Sequence, residues 1–396
     1  MKAVVSLNSG SSSVKFALYT LDDARQPQLA ARGKVEGIGI APRLAVRTAE
    51  GEVILDRDWR GEAGLTHAQL LEHLFDWSAG DLDQHEVIAI GHRIVHGGTE
   101  FAGPCLIDEA VLAKLEALCP LAPLHQPHNL AAVRAVARLR PGLPQVACFD
   151  TAFHHDMPAL ATRFALPRAF HDQGIRRYGF HGLSYEYIAG RLNQIDPRLA
   201  AGRVIAAHLG NGASLCAMRN GKSLDTTMGF TALDGLMMGT RCGSLDPGVV
   251  LHLQTQLGMN AADVEQLLYT KSGLLGVSGI SSDMRALSES GAPEAEEAIE
   301  LFVWRAAREI GALTVSLGGL DGLIFTAGIG ENHAGIRSRI CRRLAWLGLE
   351  IDETANAGNR ACISLPDSRA MVCIVPTDEE RMIALHTLAI LARAPA

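Results

Sequence analysis

A chain of 396 residues, 48% apolar and 20% charged, with a formal net charge of −7, exceeds the roughly 250–300 residues at which single cores stop growing and is expected to form two domains. The acidic balance and the lack of a basic run exclude a nucleic-acid surface, and no apolar stretch reaches the roughly 20 residues of a membrane-spanning helix. Eight cysteines without C-x-x-C spacing, with Cys148, Cys216 and Cys373 inside apolar runs, predict buried free thiols in a reduced, cytoplasmic protein.

Met1 to Lys15 (MKAVVSLNSGSSSVK) reads as strand, polar turn, strand: the apolar residues Ala3, Val4, Val5 and Leu7 lack a helical period, and Val14 to Tyr19 is rich in strand formers. The turn offers four hydroxyls (Ser9, Ser11, Ser12, Ser13) and a glycine, with Lys15 just beyond. Phosphate oxygens want many short donors and one cation, although an ordinary polar hairpin has the same composition. Leu44 to Leu55 is expected to be a hairpin turning at Glu50-Gly51, and Thr66 to Ser78 a helix capped by Thr66. Val87 to Ile90 predicts a buried strand that runs into Gly91-His92-Arg93-Ile94-Val95-His96-Gly97-Gly98 at a pocket lip. His92 and His96 have no third metal ligand nearby and suit hydrogen bonding, whereas the Arg93 fork matches a carboxylate or phosphate.

Pro127 suits the first turn of a helix over Asn129 to Leu139. Gln145 to Phe149 predicts a strand with Asp150 at its C-terminal end, where α/β sheets present ligand groups and where an aspartate can equally cap the next turn. Arg176 to Gly182, with Phe180-His181 between glycines, has no amphipathic period and reads as a site loop. Val204 to Ala217 then repeats the opening design, strand, Gly/Asn/Ser turn, strand, and ends at a tight turn at Asn220-Gly221. With Gly10 placed over Gly212, Ser9 falls over Asn211 and Ser12 over Ser214. Two such hairpins far apart in the chain predict two related domains facing one cleft, against the alternative of chance likeness between glycine-rich turns.

Further along, Gly229 to Gly248 is a glycine-rich loop exposing Arg241, Ser281 to Arg285 a polar break before a helix, and Pro293 to Leu317 a long amphipathic helix. Gly322 to Thr326 predicts a strand that delivers Ala327 to Asn332 to a helix start, where Gly328 and Gly330 admit close approach of a base or a phosphate. Ala370 to Val375 is a strand, and Thr377 with Glu380 fits a capping box for the last helix. Glu379 is left as a solvated residue or a ligand in a metal shell.

The blocks LNSGSSSVK, GHRIVHGG, LHQPHN, FDTAFH, RYGFHG, HLGNGAS, GLMMGTR, SDMR, FTAGIGEN and PTDEE resemble, in order and over nearly the whole chain, those of the acetate kinases, the acetokinase family of the actin-like ATPase and sugar-kinase superfamily. The resemblance implies an α/β, two-domain actin-like ATPase (ribonuclease H-like) fold, with mixed sheets flanked by helices and the active site in the interdomain cleft. It implies a first domain at 1–150 completed by a C-terminal helix at 380–396, and a nucleotide-binding domain at 151–379. Carried over residue by residue, it implies that Asn8 and Glu379 hold Mg²⁺, with Mn²⁺ as an alternative, and that Lys15 lies near the nucleotide phosphates. ATP or ADP is then held by His208, Leu209, Gly210, Asn211 and Gly212, by Asp283, Met284 and Arg285, and by Gly328, Ile329, Gly330, Glu331 and Asn332. Arg93 takes the substrate carboxylate, with Val95, Leu124 and Phe180 around the acyl group. Asp150 is the catalytic acid, expected to orient more than to move a proton, while His181 and Arg241 stabilise the transferring phosphoryl group. The implied activity is reversible, Mg²⁺-dependent, in-line transfer from ATP to acetate, giving acetyl phosphate and ADP. The resemblance further implies a cytoplasmic homodimer without nucleic-acid or membrane partners.

Departures from the family pattern fall in one loop. Where the family usually has Pro-Leu-Glu before GLMMGTR, this chain has Ala232-Leu233-Asp234, and where it usually has Arg-Ser-Gly-Asp, this chain has Arg241-Cys242-Gly243-Ser244. Alanine for proline removes bulk beside the acyl group, and a methylene there is worth only about 1–3 kcal/mol, so propionate is expected to serve nearly as well as acetate. Cys242 reads as a packed small residue rather than a redox-sensitive one. A non-catalytic actin-like nucleotide-binding scaffold would need the ATP blocks but not Arg93, Asp150, His181 and Arg241 together. A sugar kinase would want an aspartate base for a hydroxyl, which Asp150 alone supplies.

Overall fold

The computed structural model describes residues 1–10, 13–24, 26–38, 40–59, 65, 69–70, 72–73 and 85–393. Ser11, Ser12 and most of the helix expected over Thr66 to Ser78 lie outside them. The chain divides into two compact units, Met1–Phe153 with Asp378–Ala396, and His154–Thr377.

The first unit is built on an eight-stranded sheet of order β5-β4-β3-β2-β1-β6-β8-β7, with β1 Lys2–Ser9, β2 Ser13–Leu21, β3 Pro27–Glu36, β4 Arg43–Thr48, β5 Val53–Asp58, β6 Glu86–Ile94, β7 Cys105–Leu106 and β8 Gln145–Phe149. Strands β1 to β5 form an antiparallel meander, while β1, β6 and β8 run parallel. β8 is buried along its whole length, which requires cover on both faces. One face packs Leu7 and Ile90 with Ala132, Ala135 and Val136 of the helix Gln126–Leu139. The other packs Val4, Ala17 and Ala89 with Ala384 of the helix Glu379–Leu391. That second approach is close because Gly91 has no side chain: a Cβ there would lie 2.5 Å from Ile383 Cγ2 and against Thr387 Oγ1.

The second unit holds a five-stranded sheet of order β11-β10-β9-β12-β13, with β9 Arg203–Leu209, β10 Ala213–Arg219, β11 Lys222–Thr226, β12 Gly322–Thr326 and β13 Met371–Ile374. Its strand senses, antiparallel for β11-β10-β9 and parallel for β9-β12-β13, repeat those of β3-β2-β1 and β1-β6-β8. The repeat read from the two hairpins is therefore carried by whole sheets. Its alignment needs a correction of two residues. The last strand pairs are Ser9 with Val14 and Leu209 with Ala213, so Ser9 matches Leu209 and Gly10 matches Gly210; the first turn is one residue longer, which makes the shift three residues on the returning strand, where Val14 matches Ala213. Helix Pro293–Leu317 buries Phe302, Val303, Ala306 and Ile310. Asn220 and Gly221, at φ 53° and 69°, make the tight turn into β11.

Three sequence boundaries move. β6 continues to Ile94, so His92 and Arg93 are strand residues rather than a lip beyond it. The helix expected from Asn129 begins at Gln126, keeping Pro127 in its first turn. The expected Thr377/Glu380 capping box does not form: Asp378 caps the last helix by accepting from Arg381 N–H, while the Thr377 hydroxyl donates to Ser184 Oγ. Among the described residues no helix is long and apolar enough to cross a membrane.

Candidate active site

In the first unit, parallel neighbours bring their carboxyl ends together, where open α/β sheets place ligand groups. Arg93 near the end of β6 lies beside Asp150 just past β8, whose backbone N–H donates to Ile94 O at 3.0 Å. The Arg93 guanidinium bonds Asp150 through both edges of its fork, Nε to Oδ1 at 2.9 Å and Nη2 to Oδ2 at 2.6 Å. Its third nitrogen, Nη1, lies 3.4 Å from Asn8 Oδ1 and 3.5 Å from Glu379 Oε2. Burial opposes the guanidinium charge, but the Asp150 and Glu379 carboxylates more than offset it and raise its pKa. Next to this cluster, burial and the Glu379 charge push the Glu380 carboxyl up, with Lys15 opposing. Lys15 is exposed on β2 as the register partner of Asn8. The Ser9 hydroxyl is buried with no hydrogen-bond partner among the described residues, a donor suited to a phosphate oxygen.

The first turn of helix Gln126–Leu139 fixes the frame around Arg93. Asn129 accepts from Val95 N–H at 3.0 Å and donates to Ser9 O at 2.6 Å, and Gln126 exchanges two bonds with the His96 backbone at 3.1 Å each. The LHQPHN block is thus in good part scaffolding. His92 bonds Gln145 at 2.8 Å, and His96 Nδ1 accepts from Gly98 N–H at 2.9 Å. Burial pushes both imidazoles down to about 4, so they are neutral structural groups at pH 7. Val95 is buried, whereas Leu124 is exposed.

In the second unit, His181 sits before helix Gly182–Ile195 in a left-handed conformation with φ 58°. His154 holds the preceding carbonyl, Nε2–H to Phe180 O at 3.0 Å, and Phe180 itself is buried. His181 and Arg241 converge on Gly212: a Cβ there would lie 3.3 Å from His181 Nε2 and 2.9 Å from Arg241 Nη2. Arg241 is fixed from behind by Nη1–H donating to Ala232 O at 2.6 Å. The two departures Asp234 and Ser244 meet, Ser244 Oγ donating to Asp234 Oδ1 at 2.8 Å. Cys242 is half-buried, and burial pushes its thiol up.

The expected nucleotide segments also meet in this unit. His208 pairs with Thr326 across β9 and β12, so His208 to Gly212 and Gly328 to Asn332 leave adjacent strand ends. Gly239 receives the Asn211 side chain and would place a Cβ 3.1 Å from Ser282 O, which brings up Asp283 to Arg285. Gly328 faces open space. Leu209 and Met284 are buried, leaving only their backbones to touch a ligand. Asp283 caps its helix at Arg285 N–H and Ala286 N–H, and Arg285 is exposed beside Glu289. Glu331 accepts from Ala327 N–H at 2.8 Å and Thr377 N–H at 3.1 Å, a scaffold role for its carboxylate. Asn332 donates back to Gly328 O at 2.9 Å. Ile329 belongs to the short helix Ala327–Asn332.

Most of the supporting residues were invisible in the sequence. Ser214 and Tyr185 bond behind His181, Ser184 bonds His208 at 2.9 Å, and the fully buried Arg337 donates to Gly330 O, Glu331 O, Asn356 and Asn359. Only the Ser214 position carried a signal, as part of the repeated hairpin.

Two mixed sheets with the same strand order, flanked by helices and presenting polar residues at strand ends, define a two-domain α/β protein of the actin-like ATPase class. The model of the acetokinase family matches residues 3–385. A Rhodopseudomonas palustris protein named acetate kinase is 53% identical over 384 residues, 96% of each chain. The crystal structure of Porphyromonas gingivalis acetate kinase is 40% identical, with a TM-score of 0.86, and covers 99% of this chain and 100% of that one. A propionate kinase from Francisella tularensis is 38% identical, with a TM-score of 0.91, covering 98% of this chain and 100% of its own. The chain belongs to the acetokinase family.

Proposed function

We propose that this chain is an acetate kinase that transfers the γ-phosphoryl of ATP directly and reversibly to acetate, giving acetyl phosphate and ADP. The observation that carries the reading is Arg93, locked bidentately to Asp150 with Asn8 and Glu379 at its free edge. Acetate is already ionised at neutral pH, so the nucleophile needs no general base. Asp150 then serves to aim the guanidinium, and Arg93 to hold the substrate carboxylate. Charge in a loose phosphoryl transition state spreads over three equatorial oxygens. Arg241 and His181, converging on Gly212, are suited to neutralise it. The chemistry requires both sets of residues at one reacting phosphorus, and Val95, Leu124 and Phe180 would then border the acyl group. His208 to Gly212, Asp283 to Arg285 and Gly328 to Asn332 would hold the nucleotide, with Lys15 near its phosphates.

Asn8 Oδ1 and Glu379 Oε2 approach the same Arg93 nitrogen, two hard oxygen donors of the kind Mg²⁺ takes. Among the described residues no cluster of three or more His, Cys, Asp or Glu is placed to hold a metal. These two residues therefore fit an ion that keeps waters and phosphate oxygens as its other ligands. Bound there, Mg²⁺ would neutralise phosphate charge.

All eight cysteines are free, which supports a reducing, cytoplasmic setting. The formal charge of −7 supports a partner set of small molecules without nucleic acid. The helix Pro247–Thr255 buries none of its residues, leaving Val249 and Leu251 exposed along with Leu245 and Leu257; we assign this face to a second copy in a homodimer.

A second reading, substantial use of propionate, is favoured by Ala232 at the position where the family usually carries proline. Trapping the acyl phosphate as hydroxamate with acetate, propionate and butyrate tests both readings. The kcat/KM for propionate should lie within about tenfold of that for acetate, one methylene's worth. A steeper fall at propionate removes the second reading, and no hydroxamate with any acid removes the first.

A further inference from the structure

We propose that Ser214 and Tyr185 are positioning residues that hold the His181 imidazole as its neutral Nε2–H tautomer, so that a ring N–H faces the point where Arg241 converges. The inference rests on the reading of His181 as a donor to the transferring phosphoryl. It adds the device that gives the ring a proton to offer.

His181 Nδ1 lies 2.8 Å from Ser214 Oγ, and the Tyr185 hydroxyl lies 2.5 Å from the same oxygen. All three side chains are buried. Tyr185 is placed by the helix that follows His181, its N–H donating to His181 O at 3.1 Å. Ser214 is placed by β10, in register with His208.

A serine hydroxyl has one proton and can donate to only one of its two neighbours. A phenol is far more acidic than an aliphatic alcohol, so across a short O–O contact Tyr185 donates and Ser214 Oγ accepts. The serine proton then points at His181 Nδ1, which must present a lone pair. The ring proton is left on Nε2.

That nitrogen is the one aimed at the site, 3.3 Å from the position a Gly212 Cβ would take, with Arg241 Nη2 2.9 Å from the same position. Phosphoryl oxygens are acceptors only, so a ring N–H there is useful and a ring lone pair is not. The reverse order, His181 to Ser214 to Tyr185, would aim a lone pair at an anion. Ring orientation is secured separately. His181 stacks on His208 at 4.2 Å with a 16° interplanar angle, and His208 Nδ1 is held by Ser184 Oγ at 2.9 Å, which in turn accepts from Thr377 Oγ1 at 2.9 Å.

The test uses the full chain labelled with ¹⁵N in its histidine rings, with His181 assigned by loss of its signals in His181→Gln. Two-bond ¹H–¹⁵N correlations report which ring nitrogen carries the proton. The expected result is Nε2–H in the native chain and a shift towards Nδ1–H in Tyr185→Phe, where Ser214 Oγ becomes free to accept. Tyr185→Phe and Ser214→Ala should lower kcat on the order of tenfold or more, with KM for ATP and acetate within about twofold, and Ser214→Thr, which restores a hydroxyl, should recover most of it. A native Nδ1–H tautomer overturns the proposal, and so does a Tyr185→Phe chain with unchanged tautomer and unchanged kcat. Full activity of His181→Ala would instead defeat the reading of His181 as a hydrogen-bond donor to the transferring phosphoryl, which the tautomer measurement does not depend on.

Discussion

Arg93 and Arg241 carry the same charge but are held in different ways, and the difference predicts different losses. Arg93 spends two of its fork bonds on Asp150, so Arg93→Lys keeps the cation and leaves a buried carboxylate poorly paired. That change should cost on the order of 10²-fold in kcat/KM for acetate, about 3 kcal/mol. Arg241 is held by the backbone carbonyl Ala232 O, and its Nη2 lies on the Gly212 side, 2.9 Å from the position a Cβ there would take. Arg241→Ala should lower kcat on the order of 10³-fold with little change in KM, as for an arginine acting on transferring phosphoryl oxygens; steady-state kinetics on both variants checks the contrast. Residue types were readable here because arginine and histidine between glycines have few other uses. The pairings behind His181 were not, since Tyr185 and Ser214 lie 29 residues apart in the chain. The loop departures show the same limit: Asp234 and Ser244 pair with each other across ten residues of chain, a contact the sequence does not announce.

Elements whose signal is local emerged with their boundaries intact. The apolar run Gln145–Phe149 and the periodic stretch Pro293–Leu317 form the expected strand and helix. β6 ran past its apolar core because its backbone stays paired with β8 through Ile94, with the buried His92 ring satisfied by Gln145, 53 residues away, and the last helix lost its expected cap because the Thr377 hydroxyl goes to Ser184, 193 residues away. Both misses come from polar groups satisfied at long range. Two variants test how these elements are held, by urea unfolding. Gly91→Val drives a side chain into Ile383 and Thr387 and should cost about 1–3 kcal/mol as overpacking. Asp378→Ala removes the acceptor for Arg381 N–H and should cost about 1 kcal/mol, whereas Thr377→Val should leave this cap intact.

At the scale of the whole molecule, one sheet plan is used twice, and each copy lays polar groups at its strand ends. The buried histidines set how this plan responds to acid. His92, His96 and His154 are pushed down to about 4 by burial, while in the unfolded chain they titrate near about 6.5. Between those values the unfolded state binds more protons than the folded one, so stability is full above about 6.5 and falls as pH drops toward about 4. Urea midpoints measured from pH 7.5 to 4.5 should decline across that window, and a flat profile would show that these rings are not buried neutral. The most direct test of the central claim is a crystal structure with Mg²⁺, ADP, acetate and a planar metal-fluoride mimic of the phosphoryl group. Arg93, Arg241 and His181 Nε2 should lie within hydrogen-bond reach of the mimic or the acetate carboxylate; guanidinium groups turned away from both would contradict the proposed transfer.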